Sequence, residues 1–283
     1  MLMMHARMVN SSRAKKTTAP PVLKLPALPE LARLGVNIDH LATLRQLRGT
    51  PYPDLIEAVR IIEGAGAEQL TVHLREDRRH IQDEDVKGLR KKLKIPLNLE
   101  MAATPEMARF ATKVRPDWIC LVPEKRNEVT TEGGLDLKKG ATRIASVIRA
   151  VRKAKIRVSL FVEPSEAAML QSASLEADAV ELHTGRYCLA AQGALGKKSK
   201  AAERIEYQRI ERAARLGRSL GLHVHAGHGF DLENVRPVAA ILDPASGRPL
   251  IEEFNIGHFL VCRAAMVGMD QAVREMLAAI RAP

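Results

Sequence analysis

Leu34-Gly35-Val36-Asn37-Ile38-Asp39-His40 is a short, mostly apolar run that closes on polar and ionisable residues. The same pattern returns along the chain. The strand-type runs are Leu34–His40, Gln69–Arg75, Pro96–Met101, Asp117–Val122, Arg157–Glu163, Ala179–Thr184, His223–Ala226 and Glu253–Phe259. Between them lie stretches with helical apolar spacing, among them Leu55–Ala65, Asp83–Leu93, Pro105–Val114, Ala141–Ala154, Ala201–Leu220 and Gly268–Arg281. Strict alternation of β and α units implies a parallel sheet with right-handed crossovers. Eight units in about 250 residues predict an α/β fold, the closed (β/α)8 TIM barrel. A doubly wound open sheet is the alternative, but no G-x-G-x-x-G follows the first run to support it.

No linker interrupts residues 34–283, so the reading gives one barrel domain, residues 31–283. Ahead of it, residues 1–30 form a basic extension that is expected to be disordered. Residues 1–29 hold Arg7, Arg13, Lys15, Lys16 and Lys24 and no acid, so they carry +5 of the formal net charge of +11. The extension resembles a transit peptide in being basic and acid-free. It lacks the continuous apolar segment of a secretory signal.

Composition narrows the function classes. Hydrophobic residues make up 46% and charged residues 27% of 283, the balance of a soluble globular chain whose core needs no disulfide staples. No run approaches the ~18 apolar residues of a membrane span. Cys120, Cys188 and Cys262 are far apart and odd in number, which argues against a disulfide framework or a cysteine zinc site and favours a reducing, cytoplasmic setting. A basic chain suits anionic partners, either nucleic acid or phosphorylated metabolites. Trp118, three Tyr and five Phe are too few for a base-stacking RNA binder, and no nucleic-acid partner is assigned.

A buried parallel strand is expected to be apolar throughout. Here polar residues gather toward the carboxyl ends of the runs. The first delivers Asn37, Asp39 and His40, the second His73 and Arg75, the third Glu100 and the fifth Glu163. The sixth carries Glu181 and His183, the seventh enters Gly227-His228-Gly229, and the eighth carries Asn255, Gly257 and His258. In a barrel these ends meet at one face, where active sites are built. A single histidine on a strand is more often structural. A carboxylate inside Leu97-Asn98-Leu99-Glu100-Met101 is harder to set aside, because burying it is costly unless it is paired or neutralised.

His73, Glu100 and His228 are the proton-transfer candidates, since imidazole and a buried carboxyl can be tuned to work near neutral pH. Arg48, Arg75 and His80 could fix phosphate or carboxylate groups. Gly227, Gly229 and Gly257 follow the last two strands, where barrels commonly bind phosphate on bare backbone N–H groups. The polar loop Pro123–Gly134 follows the fourth strand and is read as a cover that closes over substrate, with a plain surface connection as the alternative. No H-E-x-x-H occurs, nor any tight histidine pair beyond His223-Val224-His225, so no metal is assigned.

At longer range the words themselves match a family. Gly35-Val36-Asn37-Ile38-Asp39-His40-Leu41-Ala42-Thr43-Leu44-Arg45 and Thr71-Val72-His73-Leu74-Arg75-Glu76-Asp77-Arg78-Arg79-His80-Ile81-Gln82-Asp83 resemble pyridoxine 5′-phosphate synthases. So do Asn98–Ala102, Leu121–Arg126, Glu128–Asp136, Glu181–Gly185, Ala226–Gly229 and Asn255–His258, in order along the chain. The resemblance implies a cofactor-free cytoplasmic enzyme of vitamin B6 synthesis. Such an enzyme condenses two phosphorylated substrates, 3-amino-2-oxopropyl phosphate and 1-deoxy-D-xylulose 5-phosphate, and forms dimers that assemble into octamers. It implies His73 and Glu100 as proton acceptors, His228 as proton donor and Glu181 as a stabiliser of transition-state charge. Asn37, Arg48, Gly229, Gly257 and His258 would hold the amino ketone phosphate. Asp39, His40, Arg75, His80 and Thr130 would hold the deoxyxylulose phosphate. Another phosphate-handling barrel, an aldolase or isomerase, is the alternative; a Schiff-base aldolase should present a strand-end lysine, and no run clearly ends in one.

Three features depart from the family pattern. His225 stands where asparagine is usual and is expected to lie near His228. The segments Arg186–Lys200 and Asp243–Pro249 look like lengthened loops.

Overall fold

The computed structural model describes residues 28–124, 133–193 and 199–282. Eight parallel strands close into a barrel in sequence order: β1 (Arg33–Asn37), β2 (Gln69–His73), β3 (Leu97–Met101), β4 (Trp118–Leu121), β5 (Arg157–Val162), β6 (Ala179–His183), β7 (His223–Gly227) and β8 (Glu253–Ile256). Closure is direct, with β1 pairing β8 from Arg33↔Glu253 to Val36↔Ile256. The helices are α1 (Asp39–Arg48), α2 (Leu55–Gly64), α3 (Asp83–Lys92), α4 (Pro105–Val114), α5 (Leu137–Arg152), α6 (Glu166–Ser174), α7 (Gly185–Gln192), α8 (Lys200–Ser219), α9 (Val235–Ala239), α10 (His258–Val267) and α11 (Met269–Arg281). The predicted barrel is therefore the observed one.

Local chemistry starts many of these helices. Asp54 accepts the Ile56 and Glu57 N–H groups ahead of α2, and Asp136 accepts those of Lys138 and Lys139 ahead of α5. Thr104 accepts Met107 N–H with Pro105 in the first turn of α4. Ser165 and Ser199 do the same for α6 and α8. Each satisfies an N–H that the helix itself leaves open.

The main core lies between sheet and helices. Leu34, Val36, Leu70, Val72, Leu97, Leu99, Ile119, Val158, Leu160, Val180, Leu182, Val224 and Phe254 are wholly buried there with apolar helix residues such as Ile62, Leu89, Ala214 and Met276. Each large aliphatic side chain buried in this way contributes about 1.5–3 kcal/mol.

The barrel interior is different, and corrects the expectation of strands apolar throughout. Side chains of non-adjacent strands meet across it. Asn255 Nδ2 donates to Glu181 Oε2 at 2.8 Å, linking β8 to β6, and Thr71 Oγ1 donates to Asn255 Oδ1 at 3.1 Å, linking β2 to β8. Gln69 Nε2 donates to Glu253 Oε1, and Cys120 Sγ lies 4.0 Å from Glu181 Oε2. Alternate residues of each strand point to opposite faces. One set of that alternation is aliphatic and outward; the other is polar and fills the lumen. Glu181 thus sits at mid-strand inside the barrel rather than at a strand end.

His225 belongs to this lumen. Its ring stands edge-on to Trp118 at 5.5 Å, and its Nδ1 is 3.8 Å from Glu253 Oε1. Burial pushes its pKa down to about 3, so it is neutral. It faces the amino-terminal layer, not His228, contrary to expectation. The reason is strand parity and height: β7 residues 223 and 225 point inward below Gly227. Asp243–Pro249 is a tight reversal, with Asp243 N–H donating to Arg248 carbonyl and a Leu242–Pro249 bridge. Arg248 reaches back to the Leu28 carbonyl, and Leu28 is buried. Residues 1–27, and with them nearly all of the basic extension, lie outside the described residues.

Gly35 tests the lumen packing. A Cβ there would stand 2.0 Å from Asn255 Oδ1, the acceptor of the Thr71 hydrogen bond. Gly35→Ala should lower unfolding free energy by about 1–3 kcal/mol in urea titration. An unchanged midpoint and slope would contradict this account of the interior.

Candidate active site

At the carboxyl face, β1 ends in Asn37 and turns at Ile38 into α1, so Asp39 and His40 open a helix rather than extend a strand. Asn37 and Asp39 lock together: Asn37 Nδ2 donates to Asp39 Oδ2, and Asp39 N–H donates to Asn37 Oδ1, both at 2.9 Å. The other Asp39 oxygen, Oδ1, accepts the His73 backbone N–H at 2.8 Å. Gly257 closes over this pair, since a Cβ there would come within 3.0 Å of Asn37 Cβ. The likeness of His258 to His40 is also one of position. Both sit in the first turn of a helix, and their rings lie 5.0 Å apart.

His73, the last residue of β2, is held between two carboxyl groups. Its Nε2 is 2.8 Å from Glu124 Oε1, and its Nδ1 is 4.0 Å from Glu100 Oε2. The two acids are in opposite states. Burial works against an ionised Glu124, but the hydrogen bond with His73 and the Glu76 N–H hold its pKa below the usual range. Glu100, beside His73 in register on β3, has its pKa raised well above that range by burial, then by Glu181 and Asp39. A protonated carboxyl and an ionised one therefore flank a single imidazole. Acid and base roles divide in this way when environments push two pKa values apart.

Below them, Glu181 is raised to about 8 by burial, with the Asn255 hydrogen bond opposing the rise and Glu253 adding to it. Across the barrel, His228 follows β7 in the left-handed region, at φ +80°, and Gly229 follows at +94°. Burial, then the charges of His183 and His258, push the His228 pKa down to about 4, so it rests neutral. Gly229 allows a close approach: a Cβ there would lie 2.9 Å from that of Cys188.

Arg75 and His80 frame the β2 side. Arg75 is almost fully buried and its guanidinium is paired with Asp77 at 3.2 Å. His80 lies with its ring 6.1 Å from that of His73, and burial is the main cause of its lowered pKa. Arg48 is exposed in the last turn of α1. Thr130, and most of the loop Pro123–Gly134, lie outside the described residues.

Glu124 is absent from the set of site residues read from the sequence, although it follows β4 directly. Its partnership with His73 spans 51 residues, so no local pattern could reveal it. Asp39, His73 and Glu100 offer ligand atoms within 4.8 Å of one another, a spacing that could hold a cation. Both Asp39 oxygens already accept N–H donors and Glu100 favours its proton, which makes this set better suited to moving protons.

The family model described as "Pyridoxal phosphate biosynthesis protein PdxJ" matches residues 34–282. The chain belongs to this family. A pyridoxine 5′-phosphate synthase of Thioalkalivibrio sulfidiphilus is 52% identical over 248 residues, covering 88% of this chain and 95% of that protein. One from Rhodospirillum rubrum is 49% identical over 251 residues, covering 89% and 95%. Among solved structures, 3-keto-L-gulonate-6-phosphate decarboxylase of Vibrio cholerae superposes with a TM-score of 0.58 at 11% identity, covering 88% of this chain and 97% of that one. Thiamine phosphate pyrophosphorylase of Pyrococcus furiosus gives 0.53 at 14%, covering 89% and 96%. At such identity these two share the barrel fold with the PdxJ chain, and nothing more is drawn from them.

The buried acids give the PdxJ barrel a pH signature. Glu181 binds its proton more tightly folded than unfolded. Its contribution is complete below the ordinary carboxyl range near 4.5 and is lost as pH rises through about 8. The lowered pKa values of His225 and His228 act in the opposite sense up to about pH 6.5, so the Glu181 contribution is read by difference: from pH 5 to pH 8 the unfolding free energy of Glu181→Gln should fall less, or rise more, than that of the wild type. Parallel profiles of the two proteins in urea titrations would refute it.

Proposed function

We propose that the chain is a pyridoxine 5′-phosphate synthase. It joins 3-amino-2-oxopropyl phosphate to 1-deoxy-D-xylulose 5-phosphate and releases pyridoxine 5′-phosphate, inorganic phosphate and water. Its relatives carry that name, and the observation that carries the chemistry is His73 between a protonated Glu100 and an ionised Glu124.

The amine of one substrate attacks the ketone of the other. Carbinolamine dehydration, phosphate elimination and aldol-type ring closure follow. Each step puts a proton on oxygen or takes one from carbon or nitrogen, which is work for positioned acids and bases. His73 accepts protons in this reading; Glu100, protonated at rest, accepts one only after it has given its own up, and His228, neutral at rest, delivers one to a departing oxygen after it has been charged. Glu181, deep and hydrogen-bonded to Asn255, meets positive charge that develops above it by releasing its proton, which its pKa of about 8 allows near neutrality.

Two anion-binding groups serve the two phosphates. Asn37, Arg48, Gly229, Gly257 and His258 take the amino ketone phosphate; Asp39, His40, Arg75, His80 and Thr130 take the deoxyxylulose phosphate. Holding both substrates at once supplies rate by proximity. An imine intermediate in this chemistry has to be kept from water.

Dimers assembling into octamers complete the reading. Support comes from apolar side chains left exposed on α1 and its neighbour α10: Leu44, Leu47 and Met266, the last 81% exposed. No helix among the described residues is long and apolar enough to cross a membrane. The three free cysteines and the phosphorylated substrates suit the cytoplasm. Residues 1–27 carry the basic charge ahead of the catalytic domain.

Purified protein supplied with both substrates and no added metal should form pyridoxine 5′-phosphate and phosphate in equal amounts. Glu100→Gln should cut kcat by about 100-fold or more, as loss of a general acid–base group does. Removal of residues 1–27 should leave kcat within about twofold, far below the effect of losing such a group. Folded wild-type protein that makes no product would sink the reading.

A further inference from the structure

Glu163 and His183 stand on the active face but have no role in the scheme above. Glu163 follows β5, and His183 ends β6. His183 Nδ1 lies 2.7 Å from Glu163 Oε1. Glu163 is itself anchored: the Gly134 N–H donates to Oε1 at 3.1 Å, and Arg209 lies 3.7 Å from Oε2. That hydrogen bond to His183, ahead of the others, keeps the Glu163 pKa below the usual range. An ionised carboxylate beside Nδ1 requires a proton on Nδ1, which fixes the tautomer and the plane of the His183 ring.

That ring bears on His228. The two imidazoles meet edge to face with centroids 4.9 Å apart, and Phe161 closes the same side of His228 at 6.4 Å. Gly185 makes room for both: a Cβ there would stand 2.7 Å from His183 Nε2 and 3.3 Å from His228 Cδ2. The His228 backbone is pinned in its left-handed conformation by Thr184 Oγ1, which lies 2.8 Å from the His228 carbonyl. Its ring nitrogens make no hydrogen bond among the described residues. Ring contacts alone therefore set its orientation. The charged or titratable groups packed around it are His183 from β6, His258 from α10 and Cys188 from α7, with Glu163 acting through His183.

We infer that Glu163 and His183 are a positioning pair for His228: the carboxylate fixes one imidazole, and that imidazole holds the second ring toward the substrates while leaving its nitrogens free. Neither residue touches the reacting atoms. The inference rests on the synthase reading, because it assigns the pair to the proton donor of that reaction.

The test uses the full-length enzyme with both substrates. Glu163→Gln should lower kcat by about 10-fold or more, the usual loss when a histidine's orienting partner is removed. KM for either phosphate should change by less than about twofold, since uniform binding is untouched. His183→Gln should do the same. The double variant should be no worse than the more impaired single variant, because the two act as one unit. Solid-state spectra of ¹⁵N-histidine protein should show Nδ1-protonated imidazoles, His223 beside Glu252 among them, and Glu163→Gln should remove the signal of one. Should that variant not fold, His183→Gln decides through the same split of kcat from KM. Wild-type kcat in either variant, or losses that multiply in the double variant, would overturn the pair. Inactive wild-type protein would instead overturn the reading beneath it.

Discussion

Glu181 and Glu253 are buried in one barrel with Glu100 half-buried beside them, and that constraint governs the site built there. An ionised carboxylate taken out of water is costly unless it is paired or accepts several hydrogen bonds. Glu253 has Arg33 and Gln69 at the amino-terminal layer, which oppose but do not cancel the rise that burial gives its pKa. Among the described residues Glu181 has Asn255 and the Cys120 thiol, and Glu100 has none of these, so both are also pushed toward the protonated form. The fold tolerates them because Thr71, Asn98 and Asn255 thread a chain of hydrogen bonds through the lumen. Gly35 and Gly227 supply the space: Cβ atoms there would strike Asn255 and Glu181.

Partners then separate the acids by state. Glu124 and Glu163 each lie beside a histidine and a backbone N–H, and both are held ionised. Among the described residues Glu100 and Glu181 lack such donors and are pushed toward the protonated form. The site thus holds charged carboxylates and neutral ones side by side. Glu100 on β3 and His228 after β7 stand four strands apart in a ring of eight, on opposite sides of it. A condensation that must add protons at one atom and remove them at another is served by groups facing each other across the substrates, not by a single residue.

The barrel was legible because its two periods are both in the chain. Aliphatic runs mark the strands, and Asp54, Thr104-Pro105, Asp136, Ser165 and Ser199 mark helix starts. What escaped was the meaning of polar residues next to those runs. Asp39, His40 and His258 read as strand ends but begin α1 and α10, since Asn37 and Gly257 stop the strands and a helix can open on a polar side chain. The lumen was also written in the sequence, as polar residues two apart: Gln69, Thr71 and His73; Asn98 and Glu100; Glu181 and His183; Glu253 and Asn255. Treating buried parallel strands as uniformly apolar hid it. The pairs His73–Glu124 and His183–Glu163 join different strand ends, and only the closed ring sets their distances.

One consequence concerns the two histidines that bracket the site. His73 is fixed at three points: its N–H by Asp39, its Nε2 by Glu124 and its Nδ1 side by Glu100. Among the described residues His228 has no such bonds to its ring and depends on the packing of His183 and Phe161. Hydrogen bonds to a ring tune its basicity as well as its direction, whereas packing sets direction alone. His73 is therefore held in place by the protein before any substrate is bound. His228 takes its proton preferences from burial and from whatever occupies the site beside it. A proton acceptor must be ready before substrate arrives; a donor is better charged only when a leaving oxygen is present. The difference in how the two rings are held matches that difference in timing.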